Sequence, residues 1–152
     1  MNFKELFAVS KVFISKPRYI LPTYRATIET IRICDDLYKK EHHKNGKENA
    51  FRHALWNYLI SQKCFKISGS VEAARIWSDH FTGLHEKLSP NQKLAKGMDL
   101  HNNRFGQKLF EGKEVSTEVI IKTLQEKMKE AIKVSEVKEI VNTKDKLVYI
   151  ED

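Results

Sequence analysis

Apolar and polar positions along this 152-residue chain alternate with the helical period almost throughout. Phe3, Leu6, Phe7 and Val12 to Ile14 predict a short amphipathic helix over residues 3–14, broken by Pro17 and Pro22. Thr23 is suited to cap a helix to about Lys40, with Tyr24, Ile28, Ile31 and Tyr38 on one stripe and Ile33 and Leu37 beside it. His42 to Lys47 reads as a loop carrying the turn signal Asn45-Gly46. A helix from Asn49 to about Phe65 follows, and Ser68-Gly69-Ser70 ends it and caps the next, over 71–87. In that helix Ala74, Trp77, Phe81, Leu84 and Leu88 make an apolar face, and Arg75, Asp79, Thr82 and Glu86 a polar one. Ser89 as N-cap and Pro90 at the first position predict a helix over 91–110. Its Leu94, Met98, His101, Phe105 and Leu109 share a stripe, and Asp99, Asn102, Asn103 and Gly106 another. Ser116 or Thr117 opens a helix to about Lys133 whose Ile120, Ile121, Leu124, Met128, Ala131 and Ile132 face the core. Glu136 to Val141 adds one or two turns, and Lys146 to Ile150 is a short strand or docked tail. The expected fold is all-α: a compact single-domain helical bundle over residues 1–152, with its informative core at about 45–110.

One helix departs from the ordinary amphipathic pattern. In Asn49-Ala-Phe-Arg-His-Ala-Leu-Trp-Asn57, the residues Asn49, His53 and Asn57 fall at i, i+4 and i+8, with Arg52 and Trp56 in a row beside them. Apolar residues cover most of the remaining surface, so the helix is largely buried. Its polar row must then meet protein groups, a metal or a ligand, because an unpaired buried polar group costs roughly 1–3 kcal/mol. Two further polar clusters lie on neighbouring helices: Asp79-His80 with His85-Glu86, and Met98-Asp-Leu-His-Asn-Asn103. Three such clusters can converge on one point in a small bundle.

Composition narrows the classes. A chain that is 41% hydrophobic and 31% charged can build a core and stay in solution. Its apolar runs are far too short to span a bilayer, and the N-terminus lacks the pattern of a cleaved signal peptide. Cytoplasmic synthesis is expected, with export only by a route that needs no cleaved signal. Cys34 and Cys64 have no metal or redox spacing and read as buried thiols. The net charge of +7 suits a polyanion, but the charges are spread along the chain, so nucleic acid is not the favoured partner.

The candidate chemistry follows from the polar rows. His53, His85, Glu86 and Asp99 form a two-histidine, two-carboxylate set suited to a hard or borderline divalent metal. The same groups can work without metal, as a histidine base oriented by a carboxylate. His53, Glu86, Asp99 and Asn103 are the expected catalytic residues. Arg52, Asn49, Asn57 and Asn102 are the expected substrate contacts, with Arg52 gripping an anion. Ion pairs from Arg52 to Asp79 or Glu86 are the structural alternative. His101 reads as a core residue, and His42 and His43 as solvated loop residues.

These residues resemble a bacterial domain family of unknown function. Its pattern N-G…(N/D)-A-x-R-H-A-x-W-N…H-E…M-D-x-x-N-N-x-x-G is met by Asn45-Gly46, by Asn49 to Asn57, by His85-Glu86, and by Met98 to Asn103 with Gly106. The match covers about 45–106. The resemblance implies a helical domain found in secreted or toxin-like proteins and points to His53, Glu86, Asp99 and Asn103; it transfers no activity. The order His53…His85-Glu86…Asp99 is also similar to that of metal-dependent HD phosphohydrolases, with Glu86 in place of an Asp. Arg52-His53 is similar to the histidine helix of bacterial phospholipase A2, with Ala54 where the calcium-holding Asp would stand.

The expectation is therefore a small helical hydrolase, metal-assisted, acting on a phosphoester or lipid-linked substrate, in the setting of an antibacterial effector with an immunity partner. The alternative is a non-enzymatic binding module whose polar clusters form a sealed network and whose basic face meets a partner.

Overall fold

A computed structural model describes residues 10–151. A helical stretch over residues 10–15 and a 3-10 turn (Pro17–Tyr19) lead into α1 (Ile20–Tyr38). After a second turn (Glu41–His43) come α2 (Lys47–Ser68), α3 (Val71–Leu88), α4 (Lys93–Leu109) and α5 (Thr117–Lys129). Strand β1 (Ile132–Lys133), α6 (Val137–Asn142) and β2 (Val148–Tyr149) close the chain. The all-α expectation holds, and the C-terminal segment is the short strand: β2 pairs in parallel with β1, Ile132 opposite Val148. The first part of the expected 3–14 helix lies outside the described residues.

Helix α2 is the axis of the molecule and packs against α1, α3, α4 and α5. Ala50, Phe51, Ala54, Leu55, Tyr58, Leu59, Ile60 and Cys64 are buried around its circumference, as a helix apolar on most sides requires. Gly69, in the left-handed conformation (φ 66°), ends it by donating to Phe65 O, and Ser70 caps α3 by accepting from Ala73 N.

Four expectations are corrected. Helix α1 begins at Ile20 rather than after Thr23; Pro22 sits in its first turn, where no intrahelical N–H is needed. Thr23 is buried within the helix and accepts from Trp77 Nε1 at 2.8 Å. The stripe of Tyr24, Ile28 and Ile31 faces solvent, while the smaller Thr23, Ala26, Thr30 and Cys34, with Ile33, face the core. Helix α4 begins at Lys93, capped at Gln92, so Ser89-Pro90-Asn91 is loop. Helix α5 stops at Lys129, and Ile132 enters β1, largely exposed.

The crossing of α2 and α4 sets the site. A Cβ on Gly106 would lie 2.0 Å from Ala54 O, so only glycine lets the two backbones meet there. Asp99, Asn102, Asn103, Gly106 and Gln107 form the face of α4 that this contact turns inward.

Candidate functional site

At the α2–α4 contact His53 meets the polar rows of α3 and α4. His53, Glu86 and Asp99 are 3%, 1% and 3% exposed. His53 Nε2 lies 3.2 Å from Asp99 Oδ1, and His53 Nδ1 lies 3.8 Å from Glu86 Oε1 and 2.9 Å from Asn103 Oδ1. One ligand atom from each of His53, Glu86 and Asp99 falls within 4.8 Å of the others.

The hydrogen-bond network decides where the His53 proton sits. Asn57 Oδ1 accepts from Gln107 Nε2 at 2.9 Å and is ringed by the Ser78 and Thr82 hydroxyls at 2.8 and 2.9 Å. That orients the Asn57 amide so that its Nδ2 donates to Asn103 Oδ1 at 2.7 Å. Asn103 therefore presents an oxygen to His53, and His53 Nδ1–H donates to it. Nε2 is left as the unprotonated nitrogen, an acceptor in the tautomer required of a metal ligand or a base. Arg52 Nη2 reaches that nitrogen at 3.1 Å, while its Nη1 lies 3.3 Å from His43 Nδ1.

The charges match this arrangement. Burial, then the Arg52 charge, push His53 down to about 4, so it is neutral at pH 7. Burial and the adjacent Glu86 charge raise Asp99 to about 7. Burial also works against Glu86, but the hydrogen bond from His85 and the fields of His53 and His85 outweigh it and hold that carboxyl below its ordinary value. The two carboxylates thus share a negative charge, with the proton on Asp99. Glu86 Oε2, Asp99 Oδ1 and Asn103 Nδ2 are all buried without a hydrogen-bond partner. The 3.2 Å approach of Asp99 Oδ1 to His53 Nε2 is relieved while Asp99 holds its proton and calls for a cation once that proton is lost.

A 330 Å3 cavity opens onto the cluster. Arg52, His53 and His85 line it with Trp56, Phe81 and Ile31. Trp56 is a wall of this cavity rather than a core residue only: its Nε1 donates to Thr27 Oγ1 at 2.9 Å, and its ring meets that of His85 edge-on at 5.3 Å.

The expected site residues divide into two groups. His53, Glu86, Asp99, Asn103 and Arg52 come together. His85 does not join the ligand cluster; half exposed on the cavity wall, its Nδ1 sits 3.1 Å from Glu86 Oε1. Asn57, Asn102 and Asn49, expected as substrate contacts, serve the architecture instead. Asn57 is consumed by the network above. Asn102 clamps the backbone of Val148, donating to its O at 2.9 Å and accepting from its N at 3.0 Å. Asn49 Nδ2 donates to Lys44 O across the turn before α2. Among the described residues Arg52 forms neither expected ion pair, and Asp79 Oδ1 instead lies 3.7 Å from Arg104 Nε. His42, expected to be solvated, is fully buried with Nε2 2.8 Å from Asp35 Oδ1. His101 holds the tail through Lys146 O. Sequence reasoning missed Asn91, whose amide contacts Asp99 Oδ2 at 3.4 Å; reading Pro90 as a helix start hid it.

No curated protein and no solved structure matches the chain. The model of a family described as a domain of unknown function, DUF6973, matches residues 10–132, well beyond the 45–106 motif on both sides. The chain belongs to that family of domains.

Proposed function

We propose that this protein is a metal-assisted hydrolase of phosphoester or lipid-linked substrates, with its ion held by His53, Glu86 and Asp99. The observation that carries the reading is a pair of buried carboxylate oxygens, Glu86 Oε2 and Asp99 Oδ1, left without a hydrogen-bond partner beside the unprotonated Nε2 of His53, which Arg52 also contacts. Ligand atoms around an ion with ~2.1 Å bonds lie roughly 3 to 4 Å apart; His53 Nε2 and Asp99 Oδ1 have that spacing at 3.2 Å, and a ligand atom of Glu86 falls within 4.8 Å of them. One nitrogen and two oxygens suit Mg2+, Mn2+ or Zn2+ and leave positions open for water and substrate.

When bound, the ion would supply an activated water and polarise the scissile ester. Asn103 holds His53 in the ligating tautomer, and Asn57 holds Asn103. As a ligand Asp99 would be ionised, its proton passing to solvent. Arg52, at the cavity wall, is suited to neutralise a phosphate or a developing oxyanion. His85 donates Nδ1–H to Glu86, which leaves its Nε2 as a base or, once protonated, an acid toward the leaving group. Trp56, Phe81 and Ile31 favour the apolar part of a substrate. The resemblance supports placing this chemistry in an exported bacterial effector countered by an immunity partner. Expression of wild type and H53A in the cytoplasm and in the periplasm of a test bacterium checks that setting, with His53-dependent toxicity in one compartment as the supporting result.

The decisive test is hydrolysis of bis-p-nitrophenyl phosphate and of phospholipid, with Mn2+, Zn2+ or chelator, by wild type, H53A, D99N and R52K. The reading expects metal-dependent turnover lost in H53A and D99N and reduced in R52K. Turnover equal in D99N and wild type would end it. A non-catalytic binding module is the second reading, favoured by the 3.1 Å contact of Arg52 with His53, in which the guanidinium serves as the cluster's resident cation. It expects no metal binding by the wild-type protein in calorimetry.

A further inference from the structure

The outer face of α1 carries an apolar row that no described residue covers. Leu21, Tyr24, Ile28 and Ile31 are 53%, 62%, 49% and 42% exposed, although helices normally bury such a row. The row leads into the candidate site. Ile31 and Thr27 line the site cavity, and a second cavity, walled by Leu21, Tyr24, Thr27 and Phe81, adjoins it through the last two residues. Helical spacing sets the exposed Arg25 and Arg32 beside this row, and Lys11, Lys16 and Arg18 are exposed on the segment that leads into α1. None of the five has an acidic partner among the described residues. The one acid between residues 10 and 34 is Glu29, and Lys63 occupies it at 2.7 Å.

We infer that this face of α1 docks on an anionic lipid surface and brings the mouth of the site to the bilayer. The inference rests on the lipid-linked reading of the site. The charge selects the occupant. A second copy of the chain, paired face to face, would set five unpaired cations against five more. An anionic bilayer neutralises them while the headgroup region accepts Tyr24 and the acyl boundary accepts Leu21, Ile28 and Ile31. No described helix is long and apolar enough to cross a membrane, so the contact is interfacial. A lipid held this way has its headgroup beside Arg52 and its chains along the apolar row, the polarity a phosphoester at the His53 cluster requires.

Flotation of the whole protein with vesicles tests this directly, using phosphatidylcholine alone and a 7:3 mixture with phosphatidylserine. Wild type is expected to float with the mixed vesicles, to lose most binding at 0.5 M salt, and to bind neutral vesicles weakly. L21E/I28E should bind at least about tenfold more weakly, and R25E/R32E should lose the preference for the anionic mixture. Both pairs lie on an exposed face outside the candidate machinery, and circular dichroism confirms that they fold. No flotation at low salt, or equal flotation by wild type and both variants, overturns the proposal. So does sedimentation as a dimer that L21E/I28E dissociates, which assigns the face to a second copy. H53A separates the two readings: it should float like wild type, so flotation without hydrolysis removes the enzyme and leaves the surface. Hydrolysis of a soluble ester without flotation does the reverse.

Discussion

Asn57 shows how a residue that never touches the cavity can govern the one that does. Its amide fixes Asn103, and Asn103 fixes the tautomer of His53. Asn103→Leu strands His53 Nδ1–H, at roughly 1–3 kcal/mol, and takes one of the two acceptors of Asn57 Nδ2, which keeps His53 O. The expected result is a melting transition lower by several degrees and a mixed tautomer in the nitrogen NMR shifts of His53. Asn103→Asp keeps an oxygen in place and should retain the single tautomer. The charges give a second expectation. His53 titrates near 6.5 when unfolded and about 4 when folded, so its contribution is present above pH 6.5 and lost as pH falls toward 4. Asp99 runs the other way: raised from 3.8 to about 7, its contribution is present at low pH and lost as pH rises through 7. Between pH 4 and 6.5 the two slopes oppose and nearly cancel, with Glu86 acting chiefly below 4.5. Asp99→Asn removes one side, and its stability should then fall by about 3 kcal/mol from pH 6.5 to 4, read by urea melts. A flat profile in that variant would mean His53 is not held neutral by its surroundings. That His53, Glu86, Asp99 and Asn103 would meet was legible in the sequence, because buried polar rows at helical spacing had to find one another; that Asn57 would orient Asn103 rather than meet a substrate was not. What was not legible was which amides would be spent on backbone: Asn102 and Asn103 are neighbours, yet one clamps Val148 and the other orients His53.

Among the elements, the contact of α2 with α4 carries the site, and Gly106 permits it. Gly106→Ala places a methyl against Ala54 O, a clash with backbone that no rotamer can relieve. The helices must part, at a cost of about 3 kcal/mol or more. Moving α4 outward also pulls Asn103 from His53, so metal affinity should fall with stability, measured by calorimetry on the folded fraction. Wild-type stability in that variant would show that the crossing has slack. Element positions followed well from apolar periodicity; Ser70 is the expected cap of α3, and of the two candidates for the start of α5 Ser116 is the cap. Prolines misled twice: Pro22 lies within the first turn of α1, and Pro90 in a loop before α4. Helix α1 misled most, because size was taken for burial. Its small face allows close packing on α2, and the larger aliphatic face is left for solvent or a surface.

For the whole molecule, the apolar core and the His53 cluster are separable. The main core surrounds α2 and draws on α1, α3, α5 and the tail, while a smaller group of Met98, Val134, Ile140 and Val148 secures the C-terminal segment against α4. Neither needs an ion to close, and among the described residues no cysteine cluster offers a structural zinc site. Chelator should therefore leave the protein folded with a cooperative transition. Added Mn2+ or Zn2+ should raise the melting temperature, by an increment that grows with concentration as binding linkage dictates. Because Asp99 holds a proton up to about pH 7, metal binding at pH 6 should release nearly one proton and at pH 8 nearly none. Titration calorimetry in two buffers of different ionisation heat reads that number directly. An equal release at both pH values would separate the ion from Asp99 and place it elsewhere. Unfolding by chelator would make the metal architectural, and the hydrolytic reading of the cluster would lose its open coordination positions.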